Sequence, residues 1–168
     1  MSETAEFSCI RCGKCCRLLL SEDRGIMRGL TLLPEETSLF PENMVKPAIG
    51  VGDTPYDPGF RVLAYQLAVE PCPCLRDNEC LVYVDRPASC RQFPFSLEPS
   101  GDGGQLLGVD LNCPVVARLL ESHTQISFEG RGAALRLLRV KEQATENPRR
   151  TWFYDLRTDN WVRGDRLG

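Results

Sequence analysis

Residues 9–16 read CIRCGKCC, so that four cysteines fall within eight positions: Cys9, Cys12, Cys15 and Cys16. Gaps of two residues let successive sulfur atoms turn toward one centre, and Gly13 relieves crowding where backbone amides must approach sulfur. Arg11 and Lys14 lie among these thiols, where positive charge favours thiolates. The segment therefore predicts a metal-binding loop, and the rest of the chain is interpreted around it.

The N-terminus and the hydropathy of the chain indicate its compartment. The first residues, MSETAEFS, are acidic and polar, whereas a secretory signal carries positive charge followed by an apolar stretch. No apolar run long enough to span a bilayer is present. We therefore expect a cytoplasmic protein with no membrane contact. Disulfides are rare in that compartment, so nine cysteines in 168 residues point to metal binding or thiol chemistry.

The spacing of the cysteines bears on the metal. The remaining five are Cys72, Cys74, Cys80, Cys90 and Cys113. C-x₂-C-x₂-C with a distant Cys-Pro pair at 113–114 is typical of the three-plus-one ligation of iron–sulfur loops. Zinc ribbons prefer two separated C-x₂₋₄-C knuckles, which the downstream spacing lacks. The spacing therefore favours an iron–sulfur cluster, with zinc as the alternative. A thiol–disulfide redox protein fits less well, because we expect no strand before the first C-x-x-C.

Local patterns predict an α+β fold of short strands and irregular loops organised around the cysteine site, with C-terminal helices. We expect strands at 25–33, 60–69 and 80–84, a turn at 76–79 that brings Cys72 and Cys80 together, and a helical turn around Cys90. The proline-rich segment 41–60 is expected to be irregular. Short helical segments are expected at 34–40 and, capped by Asn112, at 114–123; a longer helix is expected at 130–147. Hairpins are expected around 99–105 and from 151–156 with 160–164.

Three separated motifs together resemble a known family. CIRCGKCC, the run CLVYVDRPASCRQFPF at 80–95 and the Cys113-Pro114 pair are similar to the CxxCxxCC cysteine-cluster family of zinc- or iron-chelating proteins, to which flagellin lysine-N-methylases look related. The resemblance spans about residues 7–116. The length of 168 residues predicts a single domain over 1–168, made of this metal-binding region and a helical and hairpin extension at 117–168 that the resemblance does not cover.

The same resemblance implies a ligand set of eight: Cys9, Cys12, Cys15, Cys16, Cys72, Cys80, Cys90 and Cys113. Eight thiols suit two four-sulfur centres, or equally one centre with additional redox-active thiols. Cys74 stands where the family usually has another residue. We therefore expect its thiol either to take no part in metal binding or to act as a substitute ligand. The other motif residues are expected either to surround the metal or to serve ordinary packing: Tyr83, Arg86, Arg91, Phe93 and Phe95.

Nothing in the sequence identifies a reaction. His123 is the single histidine, and no H-E-x-x-H or paired-carboxylate pattern accompanies the cysteines. We expect one or two iron–sulfur clusters, of the 4Fe–4S type, with an electron-transfer or redox-assisting role. A structural zinc module without catalysis is the alternative, and metal storage or delivery is a third. The sequence does not identify a protein partner. The excess of basic residues after residue 130 is small, which argues against nucleic-acid binding.

Overall fold

An antiparallel sheet of five strands forms the main body of this computed structural model, which describes residues 4–122, 125–127 and 130–168. In chain order the strands are β1 (Thr4–Glu6), β2 (Ser21–Asp23), β3 (Ile26–Arg28), β4 (Leu30–Leu32), β5 (Val45–Val51), β6 (Arg61–Leu67), β7 (Leu75–Arg76), β8 (Glu79–Cys80), β9 (Phe95–Pro99), β10 (Gln105–Val109), β11 (Gln125–Ser127), β12 (Thr151–Asp155) and β13 (Asn160–Arg163). The sheet has the order β13-β12-β5-β6-β4, and every neighbouring pair in it is antiparallel.

Within the described part of the chain, four α-helices accompany the strands: α1 (Lys14–Arg17), α2 (Ala88–Gln92), α3 (Pro114–Glu121) and α4 (Arg131–Glu146). Short 3₁₀ helices cover Pro34–Leu39, Glu42–Met44, Tyr83–Asp85 and Gly164–Arg166. The mixed composition confirms the predicted α+β class with C-terminal helices. Among the described residues, no helix combines the length and apolar character that a bilayer crossing requires.

The largest hydrophobic core lies between the sheet and α4. Leu137, Val140 and Ala144 form the buried stripe of the helix and share one cluster with Ile49 and Phe153 of the sheet. The spacing of three and four residues places these helix side chains on one face. No cysteine belongs to this cluster. The main core therefore forms from ordinary apolar packing without a thiol.

Strand β5 corrects the expectation that 41–60 is irregular. Val45–Val51 pairs with both β6 and β12, although it contains Pro47 and Gly50. The register with β6 shifts between Pro47 and Ile49, and such a bulge tolerates a residue that cannot donate a ladder hydrogen bond. A Cβ on Gly50 would overlap the ring of Phe60. Glycine is therefore required there for packing rather than for a turn.

Several local predictions hold. The structure confirms a strand within 60–69, the hairpins of β9 with β10 and of β12 with β13, the helical turn around Cys90 and the long C-terminal helix. The segment 25–33 divides into β3 and β4, and a 3₁₀ helix occupies 34–39.

Two further local predictions are wrong. The expected strand at 80–84 keeps only its first residue in β8 and then turns into the 3₁₀ helix Tyr83–Asp85. The N-cap of α3 is Cys113 rather than Asn112, with Pro114 at the first helical position. In both places the chain follows contacts at the cysteine site, which local propensity does not encode.

Candidate metal centre

The first cysteine segment is a tight loop that ends in one helical turn. Arg11 and Gly13 adopt left-handed conformations, with φ of 55° and 77°. Gly13 caps α1, and the N–H of Cys16 donates to the carbonyl of Gly13 over 3.1 Å. The N–H of Arg11 donates to Sγ of Cys9 over 3.3 Å. The loop thus presents a backbone donor to sulfur, as expected for a segment that stabilises a thiolate.

The second segment doubles back as predicted. Asp77 and Asn78 have φ of 50° and 65°, which gives the two-residue turn that joins β7 to β8. Leu75 donates its N–H to the carbonyl of Cys72, and Leu81 donates to that of Cys74. These bonds fold residues 72–81 into one compact unit. The unit presents both Cys72 and Cys80 to the cavity described below.

Two contacts join this unit to the first loop. The N–H of Cys72 donates to the carbonyl of Cys16 over 2.7 Å. The guanidinium of Arg17 donates to the side-chain carbonyl of Asn78. Neither contact has a signal in the sequence, because each joins residues far apart in the chain. Together they dock the two cysteine segments side by side.

Cys90 is positioned by α2, which two side chains fix to the rest of the fold. The buried carboxylate of Glu36 accepts the N–H of Ala88 over 2.7 Å and that of Leu33 over 2.8 Å. The hydroxyl of Ser89 donates to the carbonyl of Thr31 over 2.7 Å. The sequence indicated Glu36 only as an acidic residue in the first turn of its own segment. Its bond to α2 is a tertiary feature that sequence analysis missed.

Cys113 reaches the same region from the start of α3. It is buried and packs with Phe95 and Val116, and its carbonyl accepts the N–H of Ala117 over 3.2 Å. Pro114 follows at the first helical position, where a missing N–H costs nothing. The Cys-Pro pair therefore has a local structural reason: the cysteine ends a loop as the proline begins a helix.

One cavity of about 460 Å³ brings eight of the nine cysteines together. Its lining includes Cys9, Cys12, Cys15, Cys16, Cys72, Cys80, Cys90 and Cys113. Cys74 is absent from the lining, and its side chain packs beside a cluster formed by Leu19, Leu32, Phe40 and Leu67. The eight are the positions that the sequence resemblance marked, and all nine cysteines are free thiols.

The cavity wall is cationic and aromatic as well as thiol-rich. The guanidinium carbons of Arg11 and Arg86 lie 4.4 and 3.9 Å from the ring centroid of Tyr83, and all three residues line the cavity. Arg91 donates to the carbonyls of Arg86 and Val84. These bonds brace the backbone of residues 84–86, and Arg91 also lines the cavity.

The predicted aromatic wall is present in part. Phe93 lines the cavity together with Phe7 and Phe40. Phe95 lies outside the lining and packs against Cys113 in the adjoining cluster. Apolar rings in the lining reduce the access of water to the thiols, and a metal-binding site gains stability from such shielding.

Contacts among the thiols lower the pKa of Cys15 and raise the pKa of Cys16. A hydrogen bond from the Cys16 thiol lowers the pKa of Cys15 to about 7, against the opposing effect of burial and with the help of the Arg86 charge. The same bond and burial raise the pKa of Cys16. Burial raises the pKa of Cys72 to about 11, and burial followed by neighbouring thiolates raises that of Cys90. Without a cation, Cys16, Cys72 and Cys90 are therefore held as neutral thiols, and a bound metal would deprotonate them.

The donor set fits a thiophilic metal by its chemistry. Thiolates select zinc and iron–sulfur clusters over oxygen-preferring cations. Within the described ranges, no three cysteine, histidine or acidic side chains already stand in a metal-coordinating arrangement, so ligation would draw the thiols inward. His123 lies outside the described residues. Cysteine sulfur is thus the donor type that the cavity offers.

Comparison with known proteins identifies the family. Residues 8–114, more than half of the chain, match the CxxCxxCC family model, described as "putative zinc- or iron-chelating domain". No curated protein and no solved structure matches the chain. The chain therefore belongs to the CxxCxxCC family, which confirms the resemblance seen in the sequence. Membership supports metal binding, with zinc or iron as the metal.

Proposed function

We propose that this member of the CxxCxxCC family is a cytoplasmic iron–sulfur protein whose centre transfers electrons or assists a redox reaction. The eight cysteines of the cavity would hold one or two clusters, most simply of the 4Fe–4S type with four sulfur ligands each. The observation that carries the proposal is that eight thiols line a single cavity of about 460 Å³.

The number of thiols and the volume of the cavity favour a polynuclear centre. A structural zinc ion takes four thiolates at about 2.3 Å and is enclosed by them, so it needs no cavity beyond its own coordination sphere. The volume of about 460 Å³ is much larger than the space inside the coordination sphere of one zinc ion. Space of this size beside twice the number of donors suits a cluster of several irons and sulfides better than one ion.

The charges of the wall also suit such a cluster. A 4Fe–4S core of charge +2 with four thiolates carries a net charge of −2 by simple addition. The guanidinium groups of Arg11 and Arg86 line the cavity, and the Arg11 N–H already donates to a cysteine sulfur. Positive charge and donors at sulfur stabilise the reduced cluster and raise its reduction potential.

The chemistry of iron–sulfur centres defines what each part of the chain would do. The cluster supplies one-electron transfer when bound. The cysteine segments would ligate it, Arg11 and Arg86 would balance its charge, and Phe7, Phe40 and Phe93 would limit water. A reducing cytoplasm would keep unligated thiols from forming disulfides.

Metal and sulfide analysis of protein purified without oxygen tests the proposal. We expect about four or eight irons per chain, an equal amount of acid-labile sulfide, and a broad visible absorption that bleaches on reduction. Zinc without sulfide in a colourless protein would refute the proposal and favour the structural zinc module. Loosely held metal, lost to a mild chelator without unfolding, would favour storage or delivery instead.

A further inference from the structure

We propose that strand β10 (Gln105–Val109) pairs with the same strand of a second copy of this chain, so that the protein forms a symmetrical dimer. The inference goes beyond the iron–sulfur function, and nothing in it depends on the bound metal. It starts from the position of β10, which is paired with β9 on one side and, among the described residues, with no strand on the other. We call this free side of β10 the open edge.

The open edge presents the backbone groups of every second residue. In an antiparallel pair, residues that exchange hydrogen bonds with the neighbouring strand alternate with residues whose N–H and C=O groups point away from it. The N–H of Asp110 donates to the carbonyl of Pro94 over 2.7 Å. At the other end, the N–H of Ser100 donates to the carbonyl of Gly104 over 3.1 Å. Even-numbered residues of β10 therefore bond to β9. The N–H and C=O groups of three residues point to the open edge: Gln105, Leu107 and Val109.

The other edge of this hairpin is already occupied. Leu97 of β9 stands opposite Leu107, so its backbone groups point to the outer side of β9. Its carbonyl accepts a hydrogen bond from Nζ of Lys141 over 3.1 Å, and its side chain shares a buried cluster with Ala134 and Leu138 of α4. Within the described ranges, by contrast, no hydrogen bond reaches the open edge of β10. Its N–H donors and carbonyl acceptors are thus available for another strand.

Strand β10 lacks the features that usually protect a free strand edge. Such edges are commonly short, charged, bulged or interrupted by proline. The main sheet follows this pattern, since its edge strand β4 has three residues and its edge strand β13 carries Arg163. β10 has five residues, no charge, no proline and an uninterrupted register with β9. Leu106 and Leu107 on it are 60% and 53% exposed. An edge of this kind favours the addition of a strand.

A second copy supplies a strand that matches the open edge. When a two-fold axis passes through Leu107, that residue pairs with its own copy, and Gln105 of each chain pairs with Val109 of the other. This register gives every outward N–H and C=O group of both strands a hydrogen-bond partner. The two strands are uncharged, so no residue of β10 meets a like charge across the axis.

Two aspartates flank β10 and predict how the dimer responds to salt. Asp102 lies in the turn before the strand and Asp110 directly follows it, and both are exposed. In the proposed register, Asp110 falls opposite Gly104 of the second copy, two residues from Asp102. These like charges lie outside the paired strands, and salt screens the repulsion between exposed charges. The dimer should therefore become tighter as the ionic strength rises.

Sedimentation velocity of the full chain, purified with its metal, measures the association. The paired strands contribute five residues from each chain, whereas a standard interface has about 20–30 on each side. We therefore expect a reversible dimer that changes from the minor to the major species over about a hundred-fold increase in protein concentration. Added salt should shift this transition to lower concentration.

Two substitutions at Leu107 test the register. Leu107→Lys places two like charges at the axis, and Leu107→Pro removes an N–H that β9 does not use, so that the hairpin itself is kept. Each should raise the dissociation constant about five-fold or more. Tyr56→Lys is the matched control, because it introduces a lysine at a side chain that is 83% exposed between β5 and β6. It should dimerise as the wild type does.

Hydrogen exchange resolved to single amides gives a measurement that needs no variant. In the wild type, the amides of Gln105, Leu107 and Val109 should exchange more slowly as the protein concentration rises. Those of Leu106 and Gly108 already bond to β9 and should keep the same rate at every concentration. This alternation along consecutive residues would identify the open edge of β10 as the contact.

The outcomes decide between a dimer at this edge and its alternatives. A wild type that stays monomeric over this range overturns the proposal, and so does a dimer that both Leu107 variants leave unchanged. Slow exchange of the three outward amides in the dilute monomer would show that the chain covers its own edge, which also overturns it. Protection of these amides only by an added strand-forming peptide of unrelated sequence would assign the open edge to another protein instead of a second copy.

Discussion

The carboxylate of Glu36 accepts a 2.7 Å hydrogen bond from the backbone N–H of Ala88, although 52 positions separate the two residues in sequence. Ala88 begins α2, so a buried acid from one segment caps the helix that carries Cys90 in another. An acid at a helix N-terminus is stabilised by the free N–H groups there. The metal site therefore depends on a residue that ligates nothing.

Glu36→Ala should destabilise the protein and loosen Cys90. It leaves the buried N–H groups of Ala88 and Leu33 without acceptors, which costs about 2–4 kcal/mol in the free energy of unfolding. Urea denaturation measures this cost. Glu35→Ala is the control, because Glu35 forms only an exposed ion pair with Arg136 and should change stability by less than about 1 kcal/mol. Equal effects of the two substitutions would contradict the positioning role of Glu36.

Cys74→Ser should leave metal content unchanged, whereas Cys72→Ser should lower it. The two thiols are two positions apart, but only Cys72 lines the cavity. Metal per chain, measured on both variants prepared side by side, distinguishes a ligand from its neighbour. Loss of metal in Cys74→Ser with retention in Cys72→Ser would make Cys74 the substitute ligand.

In metal-free, reduced protein the thiol of Cys15 should ionise at a lower pH than the thiols of Cys16, Cys72 and Cys90. Its pKa of about 7 means that its thiolate, and its alkylation by iodoacetamide, rise through neutral pH. Mass spectrometry of each cysteine against pH measures the midpoint. Cys16→Ala removes the hydrogen-bond donor and should raise that midpoint. A wild-type midpoint at about 8.5, that of an ordinary thiol, would show that the Cys16 hydrogen bond has no such effect.

Asp155 should make stability depend on pH in the acid range. Burial disfavours its ionisation, but the N–H groups of Met27 and Arg157 and the hydroxyl of Thr158 donate to the carboxylate and lower its pKa. The stabilisation is fully present above the unfolded pKa of about 3.9 and is lost as pH falls through the lower folded pKa.

The comparison of wild type with Asp155→Asn isolates that effect. The variant keeps an oxygen that can accept from Met27 and Arg157 but cannot ionise. The wild-type advantage in unfolding free energy should therefore shrink as pH falls from about 5 to about 2. Glu142→Gln, an exposed change on α4, should show no such trend. A wild-type advantage that stays constant over this range would contradict a lowered pKa.

The sequence predicted the elements whose signals are local. The stripe of Leu137, Val140 and Ala144 predicts α4, and alternating residues predict β6. Strand β5 was not predicted, because Pro47 and Gly50 are unfavourable in a strand when only the local sequence is considered. In the fold, a bulge accommodates the proline and the ring of Phe60 requires the glycine.

At the site, too, the sequence pattern predicted the cysteines but not the long-range contacts that position them. The resemblance to the family pattern indicated eight cysteines, all of which lie within the residues 8–114 that match the family model. The residues that arrange them carry no motif: Glu36, Ser89 and Asn78 act through backbone groups or side chains remote in sequence. The expected strand at 80–84 failed for this reason, since Tyr83 lies between Arg11 and Arg86 at the cavity wall.

The hydrogen bond from the N–H of Cys72 to the carbonyl of Cys16 also bears on how the centre would survive damage. It joins two cysteine segments through backbone atoms that ligate nothing, beside a main core that contains no thiol. If oxygen strips a cluster, the thiols of one segment remain at a high effective concentration around metal held by the other. The centre would then be rebuilt in place, and repair would not require the protein to unfold.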